Sequence, residues 1–341
     1  MINFIKYFKI ISVLCFVSIS NLLFSANYYV AVASSGDGSG VDASNESATI
    51  QNIFDTYNLA SGDIINVAAG TYTEKGIIVG ADDEGFTIQG AALSGDVPTT
   101  IFDSDQSERW LALSNNNNDG IIINNIYVKD YKPSASTTPE GAGGGVCAGS
   151  YDISSMTFSN CIFDNCDVSW TNNGGAVYFE RPGSGGGNSV WSFTDVEFKN
   201  CQATKNGGAV FLYNYWDCNS SFIRCDFNNN NITSSGYFGY ALYVGAYDPS
   251  TLTMTNCLMY KNTAGGSVAD ATFYTNNYIT STIYHCTIYS NTCTGCGVGS
   301  GVYNGGTMNM YNCISMGHDG KDLYDGGTFK TWDSYYSTST G

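Results

Sequence analysis

The sequence predicts an all-β chain wound as a right-handed, single-stranded parallel β-helix of about ten coils, on three observations. An eight-residue pattern recurs along the chain, a second strand signal of the GGAV type lies between its copies, and the composition suits short strands joined by tight polar turns. Only 13% of residues are charged, with 40 Gly, 25 Tyr and 5 Pro.

Residues 1–26 read as an export signal: Lys6 and Lys9 precede an apolar run from Ile10 to Phe24 that is too short to span a bilayer comfortably. The expected mature chain, residues 27–341, is one β-helix domain without a further apolar stretch of membrane-spanning length. A protein secreted or held at a cell surface follows from that reading. With the signal removed, 11 basic and 30 acidic residues leave a net charge of −19, which argues against nucleic-acid and anionic-membrane partners.

Ile50, Ile53, Phe54 and Tyr57 have the i, i+3, i+4, i+7 spacing of a short helix, expected to cap the N-terminal end of the solenoid. The coils follow, with starts near 65, 86, 121, 156, 191, 220, 252, 281, 308 and 329. MTFSNCIF (156–163), WSFTDVEF (191–198) and SSFIRCDF (220–227) show the pattern most plainly. Spacings of two within each half predict strands, and the spacing of three between third and sixth places requires a bend. Asn125, Asn160, Asp195, Arg224, Asn256, His285, Asn312 and Asp333 stand there, mostly residues that tolerate left-handed backbone. The third place should form one buried column through Phe158, Phe193, Phe222, Met254 and Ile283, and the sixth another through Cys161, Val196, Cys225, Cys257 and Cys286. Ala91 and Ile126 are the expected upstream members of the latter.

Those cysteines read as small buried hydrophobes, mostly reduced, because Val196 shares their column. Cys293 and Cys296 form a lone CxxC, weak evidence for a metal. No helix follows residue 336, so the C-terminal end is expected to be covered by a loop, buried in an oligomer, or continued in a longer chain.

The GDxIxVxxGxY stretch (Gly62, Asp63, Ile65, Val67, Gly70, Tyr72), the GGAV-type segments and an FxxN element at Phe227 to Asn230 resemble the pectin-lyase-like β-helix superfamily over about 28–336. Within it the chain is most similar to the repeats of chlamydial polymorphic membrane proteins. That resemblance implies an adhesin of the cell surface or outer membrane that binds carbohydrate or another surface partner. The superfamily also contains polysaccharide lyases and glycoside hydrolases, the alternative reading. No RxPxxR pattern is present, Arg181-Pro182-Gly183 having the wrong order, and Gly317-His318-Asp319 only half resembles a polygalacturonase GHG.

Stacking adjacent coils places Asp195 over Arg224 and Glu197 over Asp226, the best catalytic candidates. Paired carboxylates of this kind share a proton, bind Ca2+ or supply an acid and a base. The plainer expectation is a surface ion pair with solvated neighbours on a convex face, and it favours binding over catalysis. His285 and His318 are expected in a bend and a turn. The acidic groups Asp82-Asp83-Glu84, Asp103-Asp105-Glu108 and Asp319-Asp322-Asp325 match no EF-hand loop and read as solvated loops. An aromatic column is expected after the GGAV signal at Tyr178, Phe211, Tyr243, Phe273 and Tyr303. Facing inward it is core; facing outward it is a ladder for sugars.

Overall fold

A computed structural model describes residues 25–113, 118–134, 143–149, 155–168, 172–181, 188–265, 271–294 and 301–336. The export signal, but for Ser25 and Ala26, lies outside them. No helix among the described residues is long and apolar enough to cross a membrane.

The chain is a parallel β-helix. Each predicted coil start falls in or beside a strand of one ladder, from Ile64–Val67 through Thr87–Gly90, Ile121–Asn124, Ser155–Asp164, Ser189–Lys199 and Cys218–Ile223 to Thr328–Trp332, all pairing in parallel. The coil count differs slightly from expectation, because Asn27–Val30 pairs with Ile64–Val67 and adds a rung before the first predicted one. Among the described residues a second sheet holds nine strands and a third holds five.

Two sharp bends per coil shape the interior. At the first, Asn125, Asn160, Asp195, Arg224, Asn256, His285, Asn312 and Asp333 all have φ between 46° and 57°. Left-handed backbone at the fifth place turns the strand, so the third and sixth places both face inward. Phe158, Phe193 and Phe222 stack with centroids 5.1 and 4.7 Å apart and planes within 4° of parallel. Cys161, Val196, Cys225, Cys257 and Cys286 are buried beside them.

The thiols do more than fill space. The Cys161 and Cys225 thiols each lie within hydrogen-bonding reach of the carbonyl two residues back and of a carbonyl of the previous rung, between which the single S–H proton is shared. Burial raises the Cys161 thiol to about 12, so it stays protonated. Nine described cysteines are free, and Cys293 is disulfide-bonded.

The second bend was not anticipated. Asp130, Asn165, Asn200, Asn229, Lys261 and Ser290 are also left-handed, with φ from 50° to 59°. The residues that follow point inward, as Tyr131, Cys166, Cys201, Asn230, Asn262 and Asn291, and His318 does the same after the left-handed Gly317 (φ 72°). Asn262 Oδ1 accepts from both the backbone N and Nδ2 of Asn230, while its own Nδ2 donates to Phe227 O and Asn291 Oδ1, all within 3.0 Å. His318 ends this ladder: its Nδ1 accepts from Asn291 N at 3.2 Å, and Nε2 faces Ser315 Oγ at 3.3 Å and Asp322 at 3.9 Å.

Burial, partly opposed by Asp322, lowers the His318 pKa below its usual 6.5. The unfolded chain then binds a proton that the folded chain refuses, so stability is full above the unfolded value and falls with pH through the folded one. Denaturation midpoints at pH about 5 and about 7.5 should therefore differ more for the wild type than for His318→Asn, which extends the ladder with a group that does not titrate.

Three local expectations need correction. After Gly90 the chain leaves the expected strand in a loop, and Thr100, not Ala91, pairs with Ile126 at the sixth place; a Cβ at Gly90 would lie 2.1 Å from Asn125 O. The helix spans Ile50–Thr56 and buries Ile50, Ile53 and Phe54, but Tyr57 is its extended C-cap. Its first N–H groups are received by Glu74, whose carboxylate accepts from Ile50 and Gln51 at 2.8 and 2.7 Å.

The third correction concerns Phe273. It pairs with Leu242 in the inward column, and Tyr274 pairs with Tyr243. Reading the strand signal one residue early, at 269–272, moved the ring to the wrong face, as a one-residue slip must.

Candidate functional site

The first bend also positions the candidate residues. Glu197 and Asp226 are register partners on the strands that leave it, and Asp195 and Arg224 occupy the bend itself. Left-handed backbone swings both bend side chains outward, where Arg224 Nε and Nη2 grip Asp195 Oδ1 and Oδ2 at 2.6 and 2.7 Å. The expected ion pair is present.

The expected convex surface is not. All four residues line a cavity of about 440 Å³. Asn160, Ile162, Asp195, Glu197, Arg224 and Asp226 line it along the bend and the strands that leave it. Leu93 and Asp96, from the loop after Gly90, supply further wall. That loop falls where the sequence suggested a continuous strand, so the enclosure was not foreseen.

Within the cavity the two carboxylates differ. Glu197 is ion-paired with Lys199 at 2.9 Å. Asp226 forms no ion pair among the described residues, and burial, opposed by a hydrogen bond from Asn228 and the charge of Lys199 and reinforced by the charge of Glu197, raises its pKa to about 6. Asn228 Nδ2 spans the pair, 3.1 Å from Glu197 Oε1 and 3.3 Å from Asp226 Oδ1. A protonated acid therefore sits beside an ion-paired carboxylate at mildly acidic pH. The only sequence hint of Lys199 and Asn228 is their spacing of two from Glu197 and Asp226, which puts each on the same face of its strand.

The aromatic column faces outward, as Tyr178, Phe211, Tyr243, Tyr274, Tyr303 and Tyr324. Consecutive centroids lie 4.7–5.3 Å apart with planes within 19° of parallel. Ring faces are thus occupied by neighbouring rings, and a ladder built this way turns ring edges and hydroxyls outward. Sugars pack on faces, so the column contributes chiefly to sheet cohesion.

Other candidates serve the fold. His285 occupies a bend and His318 ends the asparagine ladder. Asp83 is buried and accepts from Leu59 and Gly80 backbone N–H groups, and Asp103 pairs with Lys129 at 2.7 Å. No group of three or more potential metal ligands occurs among the described residues.

No family model and no curated protein matches the chain. Solved structures similar to it include the GH136 lacto-N-biosidase from Eubacterium ramulus, 8% identical, covering 90% of this chain and 67% of that one with a TM-score of 0.39. A rhamnogalacturonan lyase is 14% identical, with 85% and 68% covered and a TM-score of 0.39. A pectin methylesterase from carrot is 11% identical, with 80% and 84% covered and a TM-score of 0.34. None of the three is a chlamydial repeat protein.

Proposed function

We propose that the protein acts on a neutral glycan, outside the cell or at its surface, and that Asp226 and Glu197 hydrolyse a glycosidic bond in the cleft. The observation that carries this reading is the pair itself: a carboxyl raised to about 6 next to one paired with Lys199. A buried carboxyl that keeps its proton suits the acid, and a carboxylate held by a lysine suits the nucleophile or base. Asp226 protonates the leaving oxygen, and Glu197 attacks or activates water from the other side. Neighbouring strands lie about 4.8 Å apart, nearer to the separation of retaining pairs (about 5–5.5 Å) than of inverting ones (about 6.5–9.5 Å).

A polyuronate lyase fits less well. Elimination needs cations to neutralise the substrate's carboxylates, and Arg224 in the cleft and Lys199 beside Glu197 are already engaged by Asp195 and Glu197. Glycan binding without turnover, as in an adhesin, is a second reading. It is favoured by Asn228, whose amide already engages an oxygen of each carboxylate.

Reducing-end release from a panel of neutral glycans, with binding measured in parallel and Ca2+ as an added variable, separates the readings. Hydrolysis lost in Asp226→Asn with binding retained supports the enzyme; binding without release by the wild type supports the adhesin.

A further inference from the structure

A second cavity, of about 190 Å³, lies on the same bend nearer the N-terminus. Its polar lining residues are Glu46, Asn66 and Gln89 beside Tyr29, and Gly90 and Ala91 line it as well. It sits two rungs before the strand that contributes Ile162 to the acidic cleft, counting Thr87–Gly90, Ile121–Asn124 and Ser155–Asp164.

Amide side chains connect the two. Asn124 Nδ2 donates to Gln89 Oε1 at 3.2 Å, Asn125 Nδ2 to Ala91 O at 3.3 Å, and Asn160 Nδ2 to Asn125 Oδ1 at 3.2 Å. Asn160 then lines the acidic cleft. The loop that carries Leu93 and Asp96 springs from between the cavities, its root at Gly90–Ala91 in one and its body in the other.

We infer that these two cavities are subsites of one groove, which binds a linear, neutral oligosaccharide lengthwise along the bend. The inference rests on the glycan reading of the acidic cleft and extends it to substrate form and direction. Three features select the ligand. From the rung of Ile64–Val67 to that of Cys218–Ile223 there are five steps, or about 24 Å at about 4.8 Å per rung. Amides offer donors and acceptors side by side, the pairing that sugar hydroxyls require. The carboxylates not held by Arg224 or Lys199, Glu46 at one end and Asp96 and Asp226 at the other, repel a polyanion.

The test uses the full chain and linear gluco-, manno-, xylo- and galacto-oligosaccharides from disaccharide to hexasaccharide, with oligogalacturonates and oligolysine for comparison. Affinity should rise with length by about tenfold for the preferred neutral series, the worth of one or two further hydrogen bonds, and the double variant Asn66→Ala/Gln89→Ala should flatten that rise. Thermal unfolding shows whether the variant is folded. Chemical-shift perturbation of the Asn66 and Gln89 side-chain amides in the 15N-labelled wild type gives the same answer without mutation: they respond to the hexasaccharide and not to the disaccharide. Affinity independent of length, or amides silent with the longest ligand, overturns the groove while Asp226→Asn still reports on the cleft. Preference for oligogalacturonate or oligolysine, or no glycan binding at all, overturns the groove and the glycan reading together.

Discussion

Replacing Asp226 by Asn is expected to lower glycan hydrolysis by about 10²–10⁴-fold, the usual contribution of a general acid. Asn keeps the shape and can still meet Asn228, but it has no proton to give the leaving oxygen. Binding should survive, because the substitution keeps the side chain's size and leaves the Arg224–Asp195 fork in place. The pH profile of the wild type carries the same signature: activity falls as pH rises through about 6, where Asp226 loses its proton. Glu197→Gln should also abolish turnover, and the released sugar should keep its anomeric configuration. Inversion of configuration would show that water, not Glu197, makes the attack.

The second large effect is structural. Asn262→Leu is expected to destabilise the fold by on the order of 4 kcal/mol, measured by chemical denaturation. Removal of its amide leaves the backbone N–H and Nδ2 of Asn230 and the carbonyl of Phe227 buried without their partner, each costing about 1–3 kcal/mol. The added apolar contact does not replace them. Because a solenoid is held by contacts between neighbouring coils, the damage should concentrate near that rung, with faster hydrogen exchange there than at the N-terminal coils.

Most of the fold was legible because the repeat combines two periodicities. Alternation by two identifies strands, and the break to three before each Cys or Val identifies the bend. The left-handed residues at Asn160, Asp195 and Arg224 follow from that break. The second bend was less visible because its inward column changes chemistry along the axis, from Tyr131 through cysteines to asparagines and His318. No single residue type marks it, although hydrogen bonding to buried carbonyls unites the Cys and Asn members.

The site was half legible. Register alone placed Glu197 beside Asp226 and Asp195 beside Arg224, since equivalent positions stack in a parallel solenoid. Concavity was not, because it depends on a loop inserted at Gly90 that reaches rungs distant in sequence. The same insertion hid the displacement of Ala91 by Thr100. For the aromatic column, a single-residue slip at Phe273 concealed an otherwise continuous run of outward rings.

The most direct measurement is a carboxyl-carbon NMR titration of Asp226 in the folded wild type and in Glu197→Gln. Burial with a neighbouring carboxylate predicts a midpoint at about 6, moving lower once the charge of Glu197 is removed. A midpoint at the ordinary aspartate value of about 3.9, unchanged by Glu197→Gln, would contradict an acid–base pair in this cleft.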